Sequence, residues 1–329
     1  MEMRFLGKTG VRVSSLVMGT MSFGGDADEA TSAALFAAAR DAGINTFDCA
    51  DVYNGGRAET LLGRFAKAER DDLVLTSKAY FPTRGAPNAR GASRFHLVRA
   101  VEASLRRLDT DRIDVFFLHR YDDETDLEET LRGLELLVQQ GKILYPAVSN
   151  FAAWQTSRAL GLQRALGFAP MVATQPMYNL VKRQAEVEIL PMAQAEGIAV
   201  LPYSPLGGGL LTGKYAAGGE VRGRIADNAM YATRYGGDGP ATTAARFAAH
   251  AVELGVDPVT LAVAWVRSHP GVTAPLVGAR SVEQLAPALA AGALTLDAAA
   301  RAAISALSPT PPPATDRNEE ATAHNYGAR

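Results

Sequence analysis

The chain has 329 residues, 47% of them hydrophobic, and a formal net charge of −2; that is enough for one large core, and near neutrality argues against a nucleic-acid partner held by phosphate contacts. Its single cysteine, Cys49, excludes an internal disulfide and a cysteine-rich zinc site and fits a reducing, cytoplasmic setting. The first ten residues lack the apolar run of a signal peptide, and no stretch reaches the roughly 18 apolar residues that span a membrane.

In chain order, Met3–Gly7 and Val11–Ser14 flank Lys8-Thr9-Gly10 and predict a hairpin, placed as a plug under the elements that follow. Eight short apolar runs come next: Ser15–Thr20, Ile44–Ala50, Leu73–Lys78, Ile113–His119, Ile143–Asn150, Met171–Tyr178, Ile198–Pro205 and Thr273–Ala279. Their length and their valine, isoleucine and aromatic content predict buried strands. Helical patterns separate them: Ala30–Ala42, Ala58–Glu69, Phe95–Leu108, Leu127–Gln140, Ala153–Leu166, Ala185–Glu196, Thr243–Leu254 and Ser281–Ala291, with an added helix over Pro258–Ser268. Gly43 and Gly141 fall just past helices, where a left-handed residue is favoured.

Strict strand–helix alternation predicts a parallel sheet, and eight strands close a barrel. The rival, a doubly wound sheet, normally carries G-x-G-x-x-G after its first strand. Here that turn reads Met18-Gly19-Thr20-Met21-Ser22-Phe23-Gly24-Gly25, and the motif occurs nowhere in the chain. The predicted fold is therefore α/β, a (β/α)8 TIM barrel with an N-terminal β-hairpin. Long loops, Ala79–Ala92 and Leu206–Thr242, follow the third and seventh strands on the face where barrel enzymes keep their chemistry. Residues 1–307 are expected as one domain, and 308–329, rich in proline and charge, as a tail.

Ionisable residues gather where the strands end. The second run ends Phe47-Asp48-Cys49-Ala50-Asp51-Val52-Tyr53, the third Thr76-Ser77-Lys78, the fourth Phe117-Leu118-His119. Taken singly, each reads as a cap, a turn residue or a hydrogen-bonded structural group. Together they put a carboxylate, a phenol, an ammonium and an imidazole at one mouth, which suits carbonyl reduction. Hydride attack leaves negative charge on oxygen, and an acid must protonate it. Tyr53 is the candidate acid. A free phenol has a pKa of about 10, and the Lys78 ammonium is expected to lower it. Asp48 would hold the ammonium, and His119 would orient the carbonyl. Cys49 reads as a small buried filler and Asp51 as a turn residue.

From Phe5-Leu6-Gly7-Lys8-Thr9-Gly10 onward, over residues 3 to 292, the sequence resembles the aldo-keto reductase superfamily. Asn45–Asn54 resembles the segment that carries the family's catalytic aspartate and tyrosine. By that likeness Asp48, Tyr53, Lys78 and His119 match its tetrad in order. The resemblance implies an enzyme that moves a hydride between NADP(H) and an aldehyde, ketone or sugar-like carbonyl. Its partner is then a small carbonyl or alcohol, with neither nucleic acid, membrane nor metal involved.

On the cofactor side, the resemblance implies Ser149, Asn150 and Gln175 for the nicotinamide carboxamide, whose donor and acceptor groups hydroxyl and amide side chains suit. It adds Thr20 and Met21 after the first strand, with Asp48 beside them. The seventh run continues Tyr203-Ser204-Pro205-Leu206-Gly207-Gly208-Gly209 to Gly213-Lys214. Tyr203 can stack on nicotinamide, Gly208 and its neighbours free backbone amides for a pyrophosphate, and Lys214 adds charge. Gly208–Lys214 also fits seven positions of a P-loop, but the eighth, which should be serine or threonine, is Tyr215. The eighth run ends Val277-Gly278-Ala279-Arg280-Ser281, then Gln284, and resembles the family's adenosine-phosphate segment. The planar fork of Arg280 suits a 2′-phosphate, which puts NADP(H) ahead of NAD(H), with Arg224 assisting. Pro287 and Ala288 stand where the family often has glutamate and asparagine, and this loosens the preference. Arg120, Tyr121, Tyr80, Phe81 and Phe23 are loop candidates for touching substrate. Two other functions use such a barrel: a cofactor-binding regulatory subunit, as in potassium-channel β subunits, which the sequence also resembles, and a phosphosugar isomerase or aldolase.

Overall fold

The computed structural model describes residues 1–214, 225 and 228–314. Strands β1 (Met3–Phe5) and β2 (Arg12–Ser14) pair antiparallel as the predicted hairpin. After them, β3 (Val17–Gly19), β4 (Thr46–Asp48), β5 (Val74–Ala79), β6 (Ile113–Leu118), β7 (Ile143–Ser149), β8 (Ala173–Gln175), β9 (Ala199–Val200) and β10 (Leu276–Val277) form a parallel sheet in the order β10-β3-β4-β5-β6-β7-β8-β9. The ring closes between its ends: Ala274 N–H donates to the Val200 carbonyl at 3.2 Å and Leu276 N–H to the Pro202 carbonyl at 2.8 Å.

Around the sheet lie α1 (Glu29–Asp41), α2 (Arg57–Ala66), α3 (Arg94–Leu108), α4 (Leu127–Gln139), α5 (Ala153–Leu166), α6 (Ile189–Glu196), α7 (Ala229–Tyr235), α8 (Asp238–Glu253), α9 (Pro258–Arg267), α10 (Val282–Ala290) and α11 (Ala298–Ser305). Gly43 and Gly141 take φ of +82° and +69° just past α1 and α4, as their position requires.

Strand residues alternate between two faces, and this decides what fills the barrel. Val17, Val74, Val115, Phe117, Ala147, Ala173, Ala199, Leu201 and Leu276 form the interior, together with Leu6 and Val13 of the hairpin. Their strand neighbours Met18, Phe47, Leu75, Phe116, Leu118 and Val148 turn outward onto α1–α5 and α10. A Cβ on Gly7 would lie 3.0 Å from the carbonyls of Val172 and Gly197, just before β8 and β9. The hairpin therefore plugs the N-terminal end. A second core, with Tyr178, Phe247, Leu261, Trp265 and Ile304, holds α8, α9 and α11 to the ring.

Several elements differ from the sequence expectation. The last three ladders are shorter than the runs that predicted them, because Pro176, Pro202, Pro205 and Pro275 carry no N–H to donate. The pattern over Ala185–Glu196 splits into a 3-10 turn, Gln184–Glu186, and α6, whose first turn tolerates Pro191. The expected helix Ala58–Glu69 breaks after Ala66 into 3-10 turns. Helix α8 starts at Asp238, five residues ahead of the expected Thr243. Helices α7 and α11 were not expected. Among the described residues no single helix is long and apolar enough to cross a membrane.

Candidate active site

Followed toward the C-terminal end, the inward parity of six of the eight strands leads to a polar residue, and that of β3 and β10 leads to glycine, Gly19 and Gly278. Thr46 is followed by Asp48, Thr76 by Lys78, Phe117 by His119, Ala147 by Ser149, Ala173 by Gln175, Leu201 by Tyr203 and Leu276 by Gly278. These side chains converge on one cavity of about 820 Å³, lined by all of them except Lys78, which lies beneath. Tyr53 joins from the loop after β4. A tight turn holds it there, with Asn54 left-handed at φ +49° and its amide donating to the carbonyls of Met21 (2.9 Å) and Phe23 (2.8 Å).

Lys78 is the hub of the floor. Its fully buried ammonium donates to Asp48 Oδ2 at 2.5 Å, to the Cys49 carbonyl at 2.7 Å and to the Tyr53 hydroxyl at 3.4 Å. Asp48 Oδ1 accepts from Thr76 Oγ1 at 2.7 Å and from Gln175 Nε2 at 2.9 Å. Each oxygen of this buried carboxylate thus has a donor, as burial of charge demands. Burial alone would depress the Lys78 ammonium, but the charge and hydrogen bond of Asp48, together with Tyr53 and Cys49, outweigh it, and its pKa stands above the usual value.

Tyr53 does not follow the expected direction. The ammonium beside it pulls its pKa down, but burial is the larger effect, and the phenol is pushed up to about 12. It therefore keeps its proton throughout the neutral range. His119 stands edge-on to the Tyr53 ring, with centroids 6.1 Å apart. Burial first and Lys78 second hold its imidazole down to about 3, so it is neutral, and its buried Nδ1 has no partner among the described residues.

The remaining walls carry amide, hydroxyl and bare-backbone groups. Asn150 donates to the His119 carbonyl and to Ser149 Oγ, both at 3.0 Å, and its Oδ1 accepts from Tyr203 Oη at 2.7 Å. Asn150 and Ser204 both take left-handed φ, +57° and +59°, so the strand ends here are strained, as functional sites often are. At Gly278 a Cβ would come within 3.0 Å of the Gly19 carbonyl, so a bare backbone edge faces the cavity. Met21, Ser204, Pro205, Leu206, Gly208, Lys214, Arg280 and Gln284 line the same cavity, while Asp48 and Gln175 form its inner wall. The P-loop-like run lies in a 3-10 segment, Gly207–Thr212, and not at the start of an α-helix.

Some expected residues are placed elsewhere. Thr20 is fully buried, and its hydroxyl is spent on the Asp48 carbonyl at 2.9 Å. Phe23 is also fully buried, edge-on to Phe65 in the core, and is no mouth residue. Tyr80 and Tyr121 stand outside the cavity lining; Arg120 and Phe81 belong to it. Arg224 lies outside the described residues. Ala288 lines the cavity, and Pro287 sits inside α10. Cys49 is buried in the core. Sequence reasoning missed Met230, Tyr231 and Arg234, which α7 brings to the cavity; the spacing 230, 231, 234, 235 was the available signal.

Behind the floor is a second buried polar group. Glu59, on α2, accepts from Ser77 Oγ at 2.5 Å and Arg107 Nε at 2.6 Å. Asp51 lies beside it, 2% exposed, and neither carboxyl oxygen has a hydrogen-bond partner among the described residues. Burial first and Glu59 second push its pKa up to about 7. Among the described residues no group of three or more His, Cys, Asp or Glu could hold a metal.

Comparison with known proteins points the same way as the geometry. The model of the aldo/keto reductase family matches residues 15–309. The chain is 37% identical over 308 residues to the uncharacterized oxidoreductase YrpG of Bacillus subtilis, covering 90% of this chain and 93% of that protein. It is 36% identical over 293 residues to a probable voltage-gated potassium channel subunit beta of Oryza sativa subsp. japonica, covering 87% and 89%. A probable subunit of the same kind from Arabidopsis thaliana is 35% identical over 293 residues.

Proposed function

This chain belongs to the aldo/keto reductase family and is an oxidoreductase of it, and on that premise we propose that it reduces aldehyde or ketone carbonyls, or oxidises the matching alcohols, with Tyr53 as the proton donor and acceptor. The observation that carries this is the ammonium of Lys78, fully buried and 3.4 Å from the Tyr53 hydroxyl. NADP(H), when bound, supplies or takes up the hydride. Asn150, Ser149, Gln175 and Tyr203 suit its nicotinamide end, Gly208 and Lys214 its pyrophosphate, and Arg280 its 2′-phosphate.

The protein's part is to hold a proton at Tyr53 Oη and to make its departure tolerable. A phenol with a pKa of about 12 stays protonated at neutral pH. As charge develops on a substrate oxygen, the phenol can give that proton up, and the ammonium stabilises the phenolate left behind. Asp48 keeps the ammonium in place. Neutral His119 can hydrogen-bond the carbonyl oxygen without adding charge. Residues 1–307 act as the catalytic unit in this reading.

The potassium-channel relatives support a second reading, in which the chain binds the cofactor and serves a larger partner. One assay separates the two: NADPH absorbance with a panel of small aldehydes and ketones, on the wild type and Tyr53→Phe. Turnover that falls roughly 100- to 10,000-fold in the variant, with NADPH affinity kept, is expected for the reductase. Tight NADPH binding with no turnover of any carbonyl would favour the regulatory reading. Full activity in Tyr53→Phe would remove the proton-donor assignment.

A further inference from the structure

Among the described residues that line the cavity, one is a carboxylate, Asp48, and Lys78 holds it at 2.5 Å. The described cations of the lining are Arg120, Lys214, Arg234 and Arg280. Arg280 and Lys214 belong to the segments read above as holding the dinucleotide. Arg120 and Arg234 have no such use.

Both lie at the reacting end. Arg120 directly follows His119. Arg234, half-buried on α7, lies over the Tyr231 ring, 5.7 Å from its centroid. It also acts on Tyr203: burial pushes that phenol up to about 12, and Arg234 pulls against it. Tyr203 in turn feels Tyr53. Among the described residues neither guanidinium pairs with a carboxylate; that is also true of surface arginines such as Arg12, Arg99 and Arg158, but Arg120 and Arg234 line the cavity. Arg120 is exposed at the mouth of this open, mostly apolar cavity and Arg234 is half-buried beside it; arginines that line a cleft attract anions, and field lines focus there. Each guanidinium offers a planar fork that matches carboxylate or phosphate oxygens.

We infer that the substrate is a carbonyl compound that also carries an anionic group, seated at Arg120 and Arg234 while its carbonyl lies at Tyr53 and His119. This rests on the reductase reading and narrows it to a substrate class. A carboxylate and a phosphate would serve alike at this level, and the test separates them.

The experiment compares para-carboxybenzaldehyde, para-formylphenyl phosphate and the methyl ester of the former, with NADPH, at low and high salt. The expected result is a kcat/KM at least tenfold higher for one or both anions than for the ester, shrinking as salt rises. In the double variant Arg120→Gln/Arg234→Gln the ratio should fall toward one, through KM and not kcat, and Arg120→Lys/Arg234→Lys should restore part of it. In parallel, calorimetry measures terephthalate and phenyl phosphate, which cannot be reduced, binding to the protein loaded with NADP+. Equal kcat/KM for anions and ester would overturn the inference and leave the reductase reading standing. No turnover, with anion binding that the double variant loses, would sink the reductase reading and keep the anion subsite. A double variant that weakens NADPH binding but keeps the anion preference would return these arginines to the cofactor and overturn the inference.

Discussion

The cavity has a floor and a rim, and they are built on different physics. On the floor, Asp48, Thr76, Lys78 and Gln175 are each 3% exposed or less and hold one another through short hydrogen bonds from three strands. On the rim, Lys214 and Arg280 are exposed, and Met230 is 51% exposed on a two-turn helix. That helix is tied down by Tyr235, whose hydroxyl accepts from Asn179 at 3.3 Å. Floor charges are desolvated, so pairing does little more than offset that cost, and an orphaned charge costs heavily. Rim charges stay in water, so they steer and discriminate but contribute little to the fold. The division suits an enzyme that keeps one proton-transfer apparatus and adapts what it accepts.

The sharpest way to break this contrast is Lys78→Met. It leaves the Asp48 carboxylate buried with only Thr76 and Gln175 as donors, so stability should fall by about 3–5 kcal/mol. Turnover should fall by about a thousandfold or more, because the Tyr53 phenolate loses its counter-charge. Urea unfolding and NADPH oxidation read the two effects. A stability loss with normal turnover would make the floor structural only. The rim counterpart is Arg280→Ala. Its KM for NADPH should rise roughly ten- to a hundredfold, its KM for NADH by less than twofold, and its urea midpoint should not move. Equal change with both cofactors would take the 2′-phosphate away from Arg280.

The same division explains what could be read from the sequence. A strand fixes its side chains by a period of two, so once eight strands close a ring, their inward parity runs on to Asp48, Lys78, His119, Ser149, Gln175 and Tyr203. The floor was therefore legible. Tyr53 lies in a left-handed turn with no period, and it was legible as the phenol closest in sequence to Asp48, a reading that the family likeness strengthened. The direction of its pKa was not legible, because burial depth depends on the loops packed over it. Phe23 was misplaced for a related reason: Gly24 and Gly25 mark a turn but not whether the ring before them faces solvent or Phe65. On the rim, α7 went unread because a two-turn helix inside a glycine-rich stretch carries little periodic signal. Asp51, read as a turn residue, does lie in a turn, but its side chain is sealed in, which the sequence did not show.

That sealed carboxyl tests the floor at its edge. Asp51 has a folded pKa raised to about 7 by burial and by Glu59, against an ordinary aspartate value of about 3.9 when unfolded. The folded state therefore holds a proton that the unfolded state has already lost across this interval. Stability rises with pH only where the unfolded state binds more protons, and here the opposite holds. The contribution of Asp51 is fully present below about pH 4, is lost as pH climbs toward 7, and does not change further above that. Asp51→Asn keeps the shape and cannot ionise. Its unfolding free energy in urea should match the wild type below about pH 4 and exceed it by pH 7.5 by about 4 kcal/mol, roughly three pH units at about 1.4 kcal/mol each, levelling above that pH. A gap of the same size at every pH would mean that the carboxyl is already ionised in the fold through a partner not seen around it, and the floor would then hold one more paired charge than the structure describes.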